Sequence, residues 1–187
     1  MAIADHMLSS NIGRTIRSSR QAVLDARLAI NWLQGRGYKK IGVLGASLGT
    51  SIAIILSAHD ERINIGSLLF IASHFGEVVW TGQATKHIRK GIEKSITLEE
   101  LNRVWSIISP ITYVDKLKGR PVCHLIISGV HDKVFLPYLT GRIIEKYREE
   151  KIRHIWKMLS CGHYTVRIFP FNLIAVFLIT NFFKRFL

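Results

Sequence analysis

Residues 40–58 read KIGVLGASLGTSIAIILSA, and this stretch decides the fold. The apolar run over residues 40–44 is typical of a short buried β-strand. GASLG at 45–49 then predicts a tight turn, since glycine adopts backbone conformations that other residues avoid. Small and apolar residues over 50–58 predict a helix directly after the turn. A strand, a glycine-rich turn and a helix in direct succession indicate a unit of a parallel sheet covered by helices.

The turn contains the pattern Gly-x-Ser-x-Gly, with Ser47 at its centre. In an elbow of this kind the serine hydroxyl projects above the sheet edge, and the helix that follows presents free backbone N–H groups. We expect a Cβ at Gly45 or Gly49 to collide with neighbouring backbone. We also expect the N–H of Leu48 to donate to a developing oxyanion. The pattern alone is weak, because a plain glycine-rich strand–helix turn would have the same sequence.

The rest of the chain continues the alternation of helices and strands. Apolar periodicity predicts helices over residues 14–35, 98–108, 138–151 and from 171 onward, and apolar runs predict strands over 63–72, 122–128 and 152–159. This order favours the α/β class, with a mostly parallel sheet in a three-layer α/β/α arrangement. Residues 74–118 are too long for a simple crossover, and we interpret them as a cap inserted over the strand ends. The cap residues His74, Phe75, Trp80 and Trp105 would either line a substrate pocket or simply pack together.

Two of the later strands are followed by residues that could act with Ser47. Asp132 follows the strand at 122–128, and His163 follows the strand at 152–159. Because parallel strands end at one edge of the sheet, we predict a Ser–Asp–His triad. Ser47 would attack a carbonyl, His163 would act as general base, and Asp132 would orient the imidazole. Two alternatives stay open: in the first, Asp132 only caps the helix that follows, and in the second, Glu77 replaces it as the acid.

Beyond these residues, the chain resembles the α/β-hydrolase superfamily from residue 40 to the C-terminus. GVHDKVFLP at 129–137 is similar to the superfamily's acid loop, and SCGHYT at 160–165 is similar to its histidine loop. ASHFGEVVWTGQATKHIRKGIE at 72–93, followed by ISP at 108–110, resembles a bacterial branch distantly related to the α/β-hydrolase domain-containing 18 group. The resemblance implies one partial domain over residues 1–187, corresponding to the C-terminal part of the fold.

The resemblance also implies a function, and it indicates that an upstream part of the domain is missing. It implies a serine hydrolase that cleaves a carboxylic ester or related acyl bond of a small or lipid-like substrate, without cofactor or metal. Family members take a second oxyanion donor from an upstream loop, often with a His-Gly pair, and residues 1–39 contain no such pair. The chain would therefore be truncated at its N-terminus, with an exposed sheet edge that favours homodimers. A non-catalytic hydrolase-like module is the alternative reading.

Composition sets further bounds. The net charge is +13 at pH 7, which could attract anionic lipid or nucleic acid, but the basic residues are scattered and no nucleic-acid-binding signature accompanies them. Because of the charge alone, a basic membrane-surface or nucleic-acid-binding protein is a second alternative. Two cysteines form no disulfide framework, and MAIADHMLSS at 1–10 has no apolar run of a signal peptide, so we expect a cytoplasmic protein. The apolar residues 168–183 predict a buried terminal helix rather than a membrane span.

Overall fold

The computed structural model describes residues 7–187. Residues 1–6, part of the stretch interpreted above as lacking a signal peptide, lie outside the described residues. The described residues form one sheet of four parallel strands in the order β1-β2-β3-β4. These strands are β1 (Ile41–Ala46), β2 (Ile63–Leu69), β3 (Cys123–Gly129) and β4 (Arg153–Leu159).

Helices connect and cover the strands. They are α1 (Ile12–Gly35), α2 (Leu48–His59), α3 (Phe75–Thr81), α4 (Lys86–Ile92), α5 (Leu98–Val104), α6 (Pro137–Glu149) and α7 (Phe171–Phe186). Short 3-10 segments lie at Gln83–Thr85, Trp105–Ile108, Pro110–Leu117 and Thr165–Arg167.

The two faces of the sheet are covered by different helices. Alternate side chains of a strand point to opposite faces, so one strand contributes to two separate cores. Ile65 and Leu125 pack with Phe182 of α7 on one face. Leu68 and Ile126 pack on the other face with α2 and α6. This arrangement is the three-layer α/β/α architecture that the sequence predicts.

Strand β1 lies at one edge of the sheet, with β2 as its paired neighbour. This strand leads directly into α2, and β2, β3 and β4 end at the same side because all four strands are parallel. The loops after β1, β3 and β4 are therefore brought to one edge.

The interval interpreted as a cap has two structurally different parts. Phe75, Val79, Ile88 and Trp105 form a separate apolar cluster, together with Leu48 at the start of α2. By contrast, the 3-10 segment Pro110–Leu117 contributes Tyr113, Val114 and Leu117 to the main core against α2 and α6. The end of the interval is thus part of the body of the fold.

The terminal helix α7 differs from its prediction. Phe182 and Ala175 are buried, but Leu173, Val176 and Phe177 are largely exposed. The prediction of a buried helix is therefore wrong for one side of α7, because a single sheet face covers only one side of a helix. Within residues 7–187, no helix combines the length and the apolar character needed to cross a membrane.

Candidate active site

Ser47 lies in the tight turn between β1 and α2, in a backbone conformation that residues other than glycine rarely adopt. Its φ is 53° and its ψ is −122°. Such a conformation is strained and persists only where the surroundings enforce it. The Ser47 N–H donates to the carbonyl of Leu69 at 2.8 Å, and the Ser47 carbonyl accepts from the N–H and the hydroxyl of Thr50 at 2.9 Å and 2.6 Å. Main chain on both sides of the turn thus holds Ser47 in place.

The two glycines of the motif are not equivalent. A Cβ at Gly45 would lie 2.5 Å from the carbonyl oxygen of Gly49 and 2.9 Å from the Cβ of Ala53. The first glycine is therefore required for the close approach of β1 and α2. A Cβ at Gly49 would meet no described atom within 4 Å, so the expected collision at Gly49 is wrong.

His163 lies in the loop after β4, directly beside Ser47. Its Nε2 is 2.8 Å from the Oγ of Ser47, and its Nδ1 is 2.9 Å from the Oδ2 of Asp132. An ionised carboxylate only accepts hydrogen bonds, so with Asp132 ionised Nδ1 carries the hydrogen and Nε2 accepts from the Ser47 hydroxyl. The rings of Phe70 and Phe135 each lie 5.0 Å from the imidazole. The His163 side chain is 7% exposed, and these neighbours limit its rotation.

Asp132 is held more tightly than a loop carboxylate usually is. Its Oδ1 accepts from the backbone N–H groups of Val134 and Phe135, both at 2.8 Å, while Oδ2 faces His163. The residue is 3% exposed. The interpretation of Asp132 as a helix cap is wrong, because its Oδ1 organises the loop before α6 and no side chain caps that helix, whereas Oδ2 contacts the imidazole of His163.

Glu77 lies elsewhere. Its carboxylate pairs with the guanidinium of Arg142, accepts from the Tyr138 hydroxyl at 3.0 Å and lies 3.5 Å from the Nδ1 of His74. The Nδ1 of His163 is already occupied by Asp132. The structure thus does not place the alternative acid, Glu77, beside the imidazole of His163.

A cavity of about 290 Å³ opens over Ser47 and His163. Leu48, the first residue of α2, lines it, and the first N–H groups of a helix have no partner within the helix. The side chains that line the cavity are mostly apolar. They include Leu8, Leu69, Phe70, Phe75, Val78, Ile88, Val134, Phe135, Tyr164 and Val166.

Of the four aromatic cap residues, Phe75 lines this cavity, whereas Trp105 is fully buried against Phe75. His74 and Trp80 are not among the lining residues. Sequence reasoning missed Phe70 and Phe135. They could have been found from their positions, since Phe70 directly follows β2 and Phe135 comes three residues after Asp132.

No protein-family model matches the chain, and no curated protein matches it in sequence. Solved structures do match. An acylaminoacyl peptidase of Pyrococcus horikoshii superposes with a TM-score of 0.74 at 15% identity, over 91% of this chain and 29% of the peptidase. A Pyrococcus furiosus esterase matches with a TM-score of 0.66 at 19% identity, over 87% of this chain and 61% of the esterase.

A third structure, an α/β hydrolase from the metagenome of sediments of the Mar Chica lagoon in Morocco, matches with a TM-score of 0.52 at 18% identity. The match covers 88% of this chain and 70% of the hydrolase. The chain thus spans less than a third of the peptidase and under two thirds of the esterase. At these identities the likeness concerns the fold, and the described residues have the fold of part of an α/β hydrolase.

Proposed function

We propose that this protein is a serine hydrolase that cleaves a carboxylic ester or a related acyl bond through an acyl-enzyme on Ser47. The observation that carries the proposal is the hydrogen-bonded series from the Ser47 hydroxyl through His163 to Asp132, built on a strained turn. Three side chains from three separate strand ends meet in the geometry that an activated serine needs.

The first half of the reaction forms the acyl-enzyme. The Oγ of Ser47 attacks the carbonyl carbon while its proton moves to the Nε2 of His163, 2.8 Å away. The carboxylate of Asp132 stabilises the imidazolium that results. The Leu48 N–H donates to the negative oxygen of the tetrahedral intermediate. The bond to the leaving group then breaks, and the leaving oxygen takes the proton from His163.

The second half releases the acyl group. Water attacks the acyl carbon while His163 accepts a proton from it. The bond between the acyl carbon and Ser47 breaks, the serine oxygen recovers its proton from His163, and a carboxylic acid leaves. No cofactor takes part in either half.

The apolar lining and the volume of the cavity support an ester with an apolar acyl group. Phe75, Val78 and Ile88 line it, and its volume of about 290 Å³ is near the lower end for sites of small ligands. The structural neighbours include peptidases and an esterase, which is in keeping with hydrolysis of acyl bonds.

The test is labelling with a fluorophosphonate, which reacts only with an activated serine. Intact-mass measurement should show one adduct on the wild-type protein and none on Ser47→Ala. Ser95→Ala, which removes an exposed hydroxyl outside the cavity, should label like the wild type. A folded protein that takes up no label would contradict the proposal and would favour a non-catalytic module with the hydrolase fold.

A further inference from the structure

A second pocket of about 290 Å³ adjoins the first beside His163. The two share Ala84, Val134, His163 and Tyr164 as lining residues. Ser47 and Leu48 line the first pocket and not the second. The imidazole therefore stands between two compartments, whereas the nucleophile and the oxyanion donor belong to one of them.

The chemistry of acyl transfer assigns a role to each compartment, and this step rests on the proposed function. The carbonyl carbon must reach the Oγ of Ser47, with its oxygen near the Leu48 N–H. The leaving oxygen must instead reach the Nε2 of His163, which returns the proton to it. The acyl group thus belongs in the first pocket, and the leaving group extends past His163 into the second.

Both compartments are lined mostly by apolar surface. The polar residues of the first are Ser47, Thr85, His87, His163, Tyr164 and Arg167, of which His87, Tyr164 and Arg167 are exposed. The second is lined by Gln83, His131, Lys133 and Thr165, and none of its lining residues is acidic. A leaving group in this pocket would therefore lie on mostly apolar surface with the side chain of Lys133 as its cationic neighbour.

Lys133 is available to bind such a group. Its backbone carbonyl accepts from the N–H of Gln83 at 2.8 Å, which fixes the main chain across the pocket. In the part of the chain that the structure describes, no carboxylate pairs with its ammonium group. The neighbouring Asp132 carboxylate is already engaged by His163 and two backbone N–H groups.

We propose that the substrate is an ester with an apolar acyl group and an anionic leaving group, and that Lys133 binds the anionic group in the second pocket. The net charge of +13 would also attract anionic substrates to the protein.

The experiment compares two esters that share one acyl chain, 4-nitrophenyl butyrate and 3-carboxy-4-nitrophenyl butyrate. The readout is the ratio of their kcat/KM values, each divided by the rate of uncatalysed hydrolysis. We expect the wild type to favour the carboxylated ester by about fivefold, the upper end for one exposed ion pair. Lys133→Gln should abolish the preference, and Lys133→Glu should reverse it. The preference should also weaken as salt is added.

The matched control is Lys157→Glu on β4, which changes the net charge equally but lies outside both pockets. It should keep most of the preference. If both esters are hydrolysed and Ser47 is labelled, but no preference exists or Lys157→Glu alters it as much as Lys133→Glu does, the proposal for Lys133 is overturned while the hydrolase remains. If neither ester is hydrolysed and Ser47 takes no label, the proposed function itself fails.

Discussion

Gly45 at the end of β1 faces the carbonyl oxygen of Gly49 in α2 so closely that a Cβ at Gly45 would lie 2.5 Å from it. Carbon and oxygen do not approach so closely without a bond, and the oxygen belongs to main chain that cannot rotate away. Any side chain at position 45 must therefore push the strand and the helix apart, and Ser47 lies between them.

We expect Gly45→Ala to lower the free energy of unfolding by about 1–3 kcal/mol, the usual cost of forcing extra atoms into a packed site. It should also slow fluorophosphonate labelling, because the displaced turn moves the Ser47 hydroxyl away from His163. Gly49→Ala is the matched control, since its Cβ meets open space and alanine favours helix, giving a gain of roughly 0.5–1 kcal/mol. Urea unfolding and labelling rates measure both effects. Equal losses in the two variants would contradict this reading.

This asymmetry shows what the motif could and could not predict. The pattern Gly-x-Ser-x-Gly predicted a serine in a tight turn between a strand and a helix, and Ser47 lies in such a turn with a positive φ. It predicted a collision at both glycines, because the pattern is symmetric about Ser47. The two environments differ because a Cβ at Gly45 would point at α2, whereas one at Gly49, which belongs to α2, would point into open space. Such a difference depends on the packing of the helix and not on the motif.

Asp132→Asn should separate the orienting role of Asp132 from its structural role. An amide can still accept from the N–H groups of Val134 and Phe135, but it can present an N–H to the Nδ1 of His163 and favour the wrong tautomer. We expect ester turnover to fall by roughly 10³- to 10⁴-fold with little change in thermal stability. Asp132→Ala should lose both activity and stability, because two buried N–H groups then lack an acceptor.

Glu77→Gln is the control for this pair. Glu77 contacts Arg142, Tyr138 and the imidazole of His74 but not that of His163, so turnover should stay within a few-fold of the wild type. A large loss in Glu77→Gln with activity retained in Asp132→Asn would assign the acid to Glu77 instead.

The proximity of the three candidate site residues could be predicted because their positions follow from topology. Ser47, Asp132 and His163 each follow a strand, and parallel strands end at one edge. The pockets could not be predicted in the same way. Whether Phe75 or Trp105 faces the cavity depends on how α3, α5 and the 3-10 segments pack, and the sequence pattern does not distinguish a cavity wall from a core.

A buried histidine makes the stability of this protein depend on pH. His124, on β3, is fully buried against α2 and α6, with its Nδ1 2.9 Å from the Tyr147 hydroxyl and its Nε2 3.2 Å from the Ser57 hydroxyl. Burial is the main cause that lowers the pKa of His124 to about 3, and the nearby Arg120 and His154 contribute to the lowering. The imidazole is therefore neutral in the folded protein at pH 7.

As pH falls below the ordinary histidine pKa of about 6.5, the unfolded chain takes up a proton at His124 that the folded protein does not. The contribution of His124 to the free energy of unfolding is fully present above pH 6.5 and is lost between pH 6.5 and about pH 3. In that interval, proton uptake by the unfolded chain should lower the free energy of unfolding by about 1.4 kcal/mol for each unit that the pH falls.

Urea unfolding at several pH values between these limits gives the free energy of unfolding as a function of pH. That free energy should change less steeply with pH in His124→Gln than in the wild type, even if the variant is less stable at pH 7. His87→Gln, at an exposed histidine, should leave the slope unchanged, and an unchanged slope in His124→Gln would contradict the assignment.

The exposed side of α7 and the edge strand β1 together predict self-association. A Cβ at Gly42 would meet the Phe183 ring, so this face of β1 points toward α7, and Leu44, two residues on, points the same way. Leu44 is 56% exposed and Phe177 is 66% exposed. Within residues 7–187, β1 pairs on one side with β2, and its other edge has no strand beside it. Exposed apolar surface beside such an edge favours association with another copy of the chain. We therefore propose a homodimer through this face.

Leu44→Lys and Phe177→Glu should each weaken the dimer roughly tenfold, about 1.4 kcal/mol, because a charge would be buried in an apolar contact. Val104→Glu on α5 introduces a charge at an exposed apolar position away from this face and should have little effect. Sedimentation velocity over a range of protein concentrations measures the change. Added salt should strengthen the wild-type dimer, since it screens the repulsion between two chains of net charge +13. A dimer that weakens with salt, or that responds to Val104→Glu as strongly as to Phe177→Glu, would place the interface elsewhere.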